Sequence, residues 1–241
     1  MTGFTDLHQH VLWALDDGAR TLEETLAMLR ASVRDGARVI AATPHALPGV
    51  RPFDLPLYEA RLAQVRALCR QEGLPLQLLS GAEIHYTPMT ERFLKEKKIP
   101  TLGGTEYALI EFSPDVSFNV LQDAANSLCR GGYVPIFAHV ERYACFRRAP
   151  GRAVRLRREW DIRYQVNAGS LFGGLRAHFL ISRLLSAGAV DLIASDAHDC
   201  AVRPPDVLRA AYERLCARCS PAYASALVHF DVQSAMPDEG A

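Results

Sequence analysis

Imidazole and carboxylate side chains stand at or just after the ends of the apolar segments of this chain, and both groups bind divalent cations. Six of seven strand-like segments end in this way. The residues are His8, His10, His45, Glu83, Glu111, His139, Asp196 and His198. Burying so many polar groups beside apolar segments is costly unless cations compensate. The pattern predicts a metal site, and the alternative is a set of hydrogen-bonded strand ends or carboxylates paired with arginines.

Spacing supports metal binding, since His8 and His10, like Asp196 and His198, are two residues apart. Side chains with this spacing point the same way from an extended strand, so each pair can contact one ion. Asp17 adds a carboxylate in Asp16-Asp17-Gly18, a sequence that is also typical of a plain turn. Mixed imidazole and carboxylate ligands suit manganese, iron or zinc better than calcium. Asp6, two residues before His8, is either an orienting partner of an imidazole or an ordinary strand residue.

Parallel strands joined by helices are predicted to position these residues, because short apolar segments alternate with helical patterns. The predicted strands are 4–8, 38–43, 76–82, 107–112, 133–139, 164–168 and 190–195. The predicted helices are 21–34, 57–71, 118–130, 177–187 and 205–218. In a closed parallel barrel the carboxyl ends of the strands lie on one face, where the ligands would converge. We expect one α/β domain over residues 1–232 and a flexible tail over 233–241.

Composition argues against several functional classes. The 27 basic side chains balance 27 acidic ones, so no global field attracts nucleic acid or an anionic membrane. No stretch of about 18 apolar residues could span a bilayer, and no leader segment is evident. Six cysteines are too sparse for a disulfide scaffold. We therefore expect a cytoplasmic protein with free thiols that neither binds nucleic acid nor inserts into a membrane.

Eight ordered motifs resemble those of the polymerase-and-histidinol-phosphatase superfamily. They are Asp6-Leu7-His8-Gln9-His10, Asp16-Asp17-Gly18, Thr43-Pro44-His45, Gly81-Ala82-Glu83, Ile110-Glu111-Phe112, His139-Val140-Glu141-Arg142-Tyr143, Ser195-Asp196-Ala197-His198 and Arg203-Pro204-Pro205. Over about residues 4–228, the chain most resembles the manganese-dependent protein-tyrosine phosphatases of bacterial capsule and exopolysaccharide loci. His85, His178 and His229 match no motif and are expected to be structural or surface residues.

The resemblance implies a distorted TIM-like barrel of seven βα units that holds two or three divalent ions, most of all manganese, with iron or zinc as alternatives. It also implies that Arg142 and Arg203 bind phosphate and that a metal-bridging hydroxide is the nucleophile. Because nine ligands must serve several ions, we expect Glu83 to be shared. The implied substrate is a phosphotyrosine-containing protein, in particular the tail of an autophosphorylating tyrosine kinase.

The segment after His45 departs from the family pattern, since it is apolar and rich in proline. Leu47, Val50 and Phe53 could there border an aromatic ring. None of the six cysteines is followed six residues later by arginine, so a thiol nucleophile is disfavoured. Alternatives within the resemblance are hydrolysis of histidinol phosphate or another small phosphomonoester, a nuclease, and a non-catalytic metal-binding scaffold. The sequence leaves the oligomeric state open.

Overall fold

The computed structural model describes residues 3–232, except for the side chains of 175 and 176. The predicted flexible tail, 233–241, lies outside the described residues. The strands are β1 (Phe4–Gln9), β2 (Ala37–Ala42), β3 (His45–Ala46), β4 (Gln77–Ser80), β5 (Glu83–His85), β6 (Tyr107–Glu111), β7 (Val134–Phe137), β8 (Arg163–Asn167) and β9 (Leu192–Ala194). The helices are α1 (Leu22–Asp35), α2 (Leu55–Gln71), α3 (Thr90–Lys95), α4 (Phe118–Arg130), α5 (Ala144–Arg148), α6 (Pro150–Glu159), α7 (Leu175–Ser186), α8 (Leu208–Cys216) and α9 (Pro221–Val228). Three 3₁₀ turns lie at Leu102–Gly104, Val140–Arg142 and Ala168–Phe172.

All strand pairings among these elements are parallel, and the strands form two sheets that together curl into a partial barrel. One sheet has the order β1-β2-β4 and the other the order β3-β5-β6-β7-β8-β9. A parallel bridge between Gln9 and Ala197 connects the end of β1 to the segment after β9. The predicted α/β, TIM-like architecture is confirmed.

Two of the predicted strands are followed, after a short interruption, by further strands that the sequence analysis did not anticipate. The strand predicted at 38–43 ends at Ala42 and resumes as β3, after Thr43 and Pro44. Pro44 has no backbone N–H to donate to a neighbouring strand. The strand predicted at 76–82 is likewise shorter than expected, and β5 begins beyond it at Glu83. Between β4 and β5 lies Gly81, where an added Cβ would lie 2.8 Å from Leu102 Cδ2. At each interruption the chain passes from one sheet to the other immediately before a ligand-type residue, which is His45 or Glu83.

Helix starts follow local capping chemistry. Thr21 Oγ1 accepts the Glu24 N–H at 3.2 Å and begins α1 close to its predicted position. Gly36 ends α1 with φ 112°, a backbone conformation that favours glycine. Asp54 Oδ1 accepts the Leu57 N–H at 3.0 Å, so α2 begins at Leu55, two residues before the predicted start. Helices α3 and α9 were not predicted, and both are short.

Apolar side chains from the strands fill the barrel interior. Leu7, Ala41, Leu79, Leu109 and Ile136 belong to one buried cluster that draws on β1, β2, β4, β6 and β7. The ligand-type residues follow these positions along the strands, so the packed layer supports the polar strand ends. Within residues 3–232, no helix is both long enough and apolar enough to cross a membrane.

Candidate active site

The nine residues predicted as metal ligands lie together at the carboxyl ends of the strands. His8 and His10 come from the end of β1, and Asp17 lies on the loop after it. His45 follows β2 and begins β3, and Glu83 follows β4 and begins β5. Glu111 ends β6, His139 follows β7, and Asp196 and His198 follow β9. Seven of them are less than a fifth exposed, whereas His45 is 25% and Asp17 58% exposed. The structure therefore brings together side chains up to 190 residues apart (198 minus 8).

Glu83 lies at the centre of this group. Its Oε2 is 3.2 Å from Nε2 of both His8 and His10, and 3.1 Å from Nδ1 of His45. Its other oxygen, Oε1, is 2.8 Å from Nε2 of His139. One carboxylate thus faces four imidazoles, an arrangement suited to sharing between cations.

Three overlapping sets of side chains can each surround one cation, with ligand atoms within 4.8 Å of one another. The sets are His8, His10, Glu83 and Asp196; His10, Asp17, His45 and His198; and His45, Glu83 and Glu111. His10, His45 and Glu83 each belong to two sets. His139 belongs to none of these sets, although it contacts Glu83.

Unpartnered buried atoms test whether these residues fit a metal cluster. Among the buried polar atoms of residues 3–232 that have no hydrogen-bond partner, three belong to ligand-type residues, namely Glu83 Oε2, His139 Nδ1 and His198 Nε2. Three imidazole nitrogens lie close to Glu83 Oε2, but none of them has the geometry to donate a hydrogen bond to it. Buried polar atoms without partners are costly, and a cation contacted by them removes that cost. The donor set therefore fits divalent metal ions.

The charges of the site are strongly coupled. Burial opposes ionisation of Glu83, but the neighbouring imidazoles outweigh it and lower the pKa of Glu83. Burial likewise opposes ionisation of Asp196, yet His8 and Arg142 help to lower the pKa of Asp196 to about 2. Burial and the adjacent His10 lower the pKa of His198 to about 4. Metal binding requires ionised carboxylates and neutral imidazoles. His10 differs from His198, because Asp16 and Glu83 outweigh burial and raise the pKa of His10 to about 10, so a cation would have to displace a proton there.

Asp16 orients two of the imidazole-bearing segments, a role that the sequence analysis missed. Its Oδ2 lies 2.7 Å from His10 Nδ1 and accepts the His45 backbone N–H at 2.9 Å. A carboxylate on one imidazole nitrogen fixes the tautomer and directs the other nitrogen toward a metal. The two consecutive aspartates therefore have different contacts. Asp16 orients His10 and the His45 backbone, whereas Asp17 Oδ1 lies 3.3 Å from His45 Nε2 and 3.4 Å from His198 Nε2.

Two amide side chains on β8 connect ligands from distant strands. Gln165 Oε1 accepts the His139 N–H at 2.7 Å and lies 3.4 Å from His8 Nδ1. Gln165 Nε2 donates to Asn167 Oδ1, and Asn167 Nδ2 donates to Asp196 Oδ2, each at 2.7 Å. Strand β8 ends in no ligand-type residue, so no local sequence signal pointed to this network.

Asp6 does not contact an imidazole. Its Oδ1 accepts the backbone N–H of His8 at 3.3 Å and that of Ser195 at 3.0 Å. Its Oδ2 accepts Gln9 Nε2 at 2.8 Å. The hypothesis that Asp6 sets an imidazole tautomer is therefore wrong, and the residue instead ties β1 to the end of β9.

Two of the ligand-type residues have left-handed backbone conformations. His139 has φ 35° and Asp196 has φ 55°. Such conformations are uncommon for residues other than glycine and cluster at functional sites. Their occurrence at two strand ends indicates that the backbone is strained at His139 and Asp196, and that this strain accompanies the placement of both side chains in the group.

His85 also lies at the site, although the sequence analysis assigned it to structural or surface residues. Its Nδ1 is 3.4 Å from Glu111 Oε1, and its side chain is 35% exposed. His85 follows Glu83 by two residues on β5, the same spacing as in the two recognised pairs. That spacing was the signal that could have identified it.

Arg142 and Arg203 flank the cluster, as predicted for residues that bind phosphate. Arg142 Nη2 donates to Asp196 Oδ2 at 2.8 Å, and Arg203 Nη2 donates to Asp17 Oδ2 at 3.0 Å. Their side chains remain 41% and 39% exposed. Each guanidinium is thus anchored at the metal site and still open to a ligand.

A cavity of about 890 Å³ opens over His45, Asp17 and Glu111, and we call it the mouth. Leu47 and Val50 line the mouth, as expected for residues that border an aromatic ring. Phe53 does not line it, because this side chain packs on Tyr58 with ring centroids 5.4 Å apart. The interpretation of Phe53 as part of the same rim is wrong.

A parallel barrel with histidine, aspartate and glutamate ligands at its strand ends defines a metal-dependent hydrolase type of site. Residues 4–235 match the family model described as capsular polysaccharide synthesis, CpsB/CapC. The chain belongs to this family.

Curated relatives carry the names of tyrosine-protein phosphatases. CpsB of Streptococcus agalactiae is 32% identical over 228 residues, covering 88% of this chain and 89% of the relative. YwqE of Bacillus subtilis is 34% identical over 200 residues, covering 82% and 78%. A chain from the crystal structures of Bacillus subtilis YwqE and Streptococcus pneumoniae CpsB, described as metal-dependent tyrosine phosphatases, matches with TM-score 0.84 and 31% identity, covering 92% of this chain and 90% of that one.

A more distant structure shows the fold alone. The crystal structure described as a histidinol phosphatase from Listeria monocytogenes matches with TM-score 0.54 at 14% identity, and it covers 80% of this chain and 95% of the other.

Proposed function

We propose that this protein is a metal-dependent protein-tyrosine phosphatase that hydrolyses phosphotyrosine on a protein. The observation that carries the proposal is the position of Glu83 among four imidazoles, flanked by two arginines that are open to solvent. Relatives that align along most of the chain carry the same activity in their names. The nine ligand-type residues at the strand ends hold the ions.

Bound divalent cations would activate water as a nucleophile and neutralise the phosphate charge. The side chains of the protein bind the phosphate and orient the metal ligands. Arg142 and Arg203 bind phosphate oxygens through their guanidinium groups and stabilise the charge of the transferred group. Asp16, Gln165 and Asn167 hold the ligands in orientation, which preserves the geometry through the reaction.

The mouth is suited to a phenyl ring. Leu47 and Val50 provide apolar contact beside His45 and Glu111, so the ring of a phosphotyrosine can lie there while its phosphate reaches the ligands. A tyrosine phenolate, with a pKa of about 10, leaves with little acid assistance. The described part of the mouth therefore need not supply a dedicated proton donor.

We further propose that manganese is the physiological metal, because the carboxylates among the mixed imidazole and carboxylate ligands suit it. The partner is a tyrosine kinase of polysaccharide assembly that carries phosphotyrosine on a flexible cytoplasmic tail. The capsular family to which the chain belongs supports this assignment.

The test uses protein loaded with manganese and compares a phosphotyrosyl peptide with histidinol phosphate. We expect kcat/KM to favour the peptide by at least about tenfold, equivalent to about 1.4 kcal/mol in transition-state binding. A preference for histidinol phosphate, or failure to hydrolyse either substrate, would contradict the proposal.

A further inference from the structure

A second cavity, of about 750 Å³, lies beside the mouth, and we call it the groove. The mouth and the groove share Val50 and Arg51, so the loop of residues 47–53 separates them as a ridge. The ridge is ordered by its own hydrogen bonds, since Leu47 O accepts the Val50 and Arg51 N–H groups at 3.1 and 3.0 Å. Pro48 O accepts Thr87 Oγ1 at 2.9 Å, which anchors the ridge to the segment after β5.

The wall of the groove is apolar and aromatic. Phe53 and Phe93 line it and are half-buried, and Val50 on the ridge is 72% exposed. The volume falls within the usual range of ligand-binding clefts, about 300 to 1,000 Å³. This surface offers contact to one or two apolar side chains.

The rim of the groove is basic. Arg51, Lys97 and Lys98 line it together with one carboxylate, that of Glu96. Glu96 is already paired, with Arg92 at 2.7 Å and Lys98 at 2.6 Å. Within the described part of the chain, Arg51 and Lys97 have no ion-pair partner, so the groove presents uncompensated positive charge.

We propose that the groove binds the residues that flank the phosphotyrosine, and that it selects a peptide with acidic and apolar residues there. This inference rests on the proposed function and adds the specificity of the same site. A tyrosine ring in the mouth places the neighbouring peptide residues at the ridge, where Arg51 faces both cavities. Acidic side chains then meet Arg51 and Lys97, while an apolar side chain packs on Val50 and Phe93.

The test compares three substrates of the manganese-loaded enzyme. They are a phosphotyrosyl peptide flanked by glutamate and leucine, the same peptide with lysine in place of glutamate, and para-nitrophenyl phosphate. We expect the acidic peptide to have a kcat/KM about tenfold above the basic one, and added salt to reduce this ratio by screening. Lys97→Glu should lower kcat/KM for the acidic peptide at least about fivefold through KM and change that for para-nitrophenyl phosphate less than about twofold.

Lys95→Glu is the control, because Lys95 is also exposed but pairs with Glu91 outside the groove. It should leave the peptide preference unchanged. Equal rates on both peptides, or an effect of Lys95→Glu as large as that of Lys97→Glu, would overturn the inference while phosphatase activity persists. A dimer in solution that Lys97→Glu dissociates, with peptide preference intact, would overturn it too, since a second copy would then occupy the groove. Failure to hydrolyse any of the three substrates would instead contradict the proposed function.

Discussion

Glu83 Oε2 lies 3.2 Å from His10 Nε2, yet the two atoms have no hydrogen-bond geometry. The same oxygen approaches His8 and His45 at similar distances. A buried carboxylate oxygen approached by three imidazole nitrogens is the arrangement expected where these atoms would hold divalent cations. This relationship makes Glu83 the most informative position for mutation.

Glu83→Gln should reduce both bound metal and turnover by more than about tenfold, because a neutral amide shares cations poorly. Metal content measured by mass spectrometry, together with steady-state kinetics, tests this. Glu59→Gln, an exposed carboxylate on α2, is the control and should change neither quantity. Full metal occupancy in Glu83→Gln would remove Glu83 from the ligand set.

Activity should depend on metal and not on thiol. Burial raises the pKa of the Cys200 thiol, the cysteine nearest in sequence to the ligands, so a reactive thiolate is disfavoured there. A chelator should abolish phosphatase activity, manganese should restore it, and Cys200→Ala should retain it. An enzyme that resists chelation and is inactivated by alkylation would rule out the metal-dependent mechanism.

Arg142→Ala and Arg203→Ala should each cost about 2 to 3 kcal/mol in transition-state binding, because charge-assisted hydrogen bonds to phosphate are lost. The readout is kcat/KM on phosphotyrosyl peptide, with metal content unchanged. Arg158→Ala, at the exposed end of α6, is the control for loss of one positive charge. If the arginine variants lose metal instead, their bonds to Asp196 and Asp17 brace ligands and do not serve phosphate.

Gly18→Ala should disrupt the site without removing a ligand. A Cβ at Gly18 would lie 2.1 Å from the His10 carbonyl oxygen, which is backbone and accepts the Ala19 N–H. This contact should lower the free energy of unfolding by about 1 to 3 kcal/mol. It should also weaken manganese binding, because His10 must shift. Gly151→Ala, where no atom lies within 4 Å of an added Cβ, is the control. Calorimetric titration with manganese and thermal unfolding measure both effects, and unchanged metal affinity would show that the loop tolerates the shift.

The sequence by itself determined the fold type and the residues able to bind cations, because both depend on local pattern. Strand-like segments that end in imidazoles or carboxylates, with the two-residue spacing of His8 and His10, can be recognised within a few positions. The parallel order of strands follows from their alternation with helices. Even the interruption of the second strand has a local cause, since Pro44 lacks a donor.

Only the tertiary structure decided how those residues are organised, because the deciding contacts join distant segments. Asp16 orients His10 and also holds the His45 backbone 29 residues away. Gln165 reaches His8 across 157 residues from a strand whose end carries no ligand-type side chain. The orientation of Phe53 away from the mouth follows from its packing on Tyr58. These contacts depend on which segments meet when the barrel forms. The local sequence around each of these residues is compatible with other contacts as well, so it could not predict them.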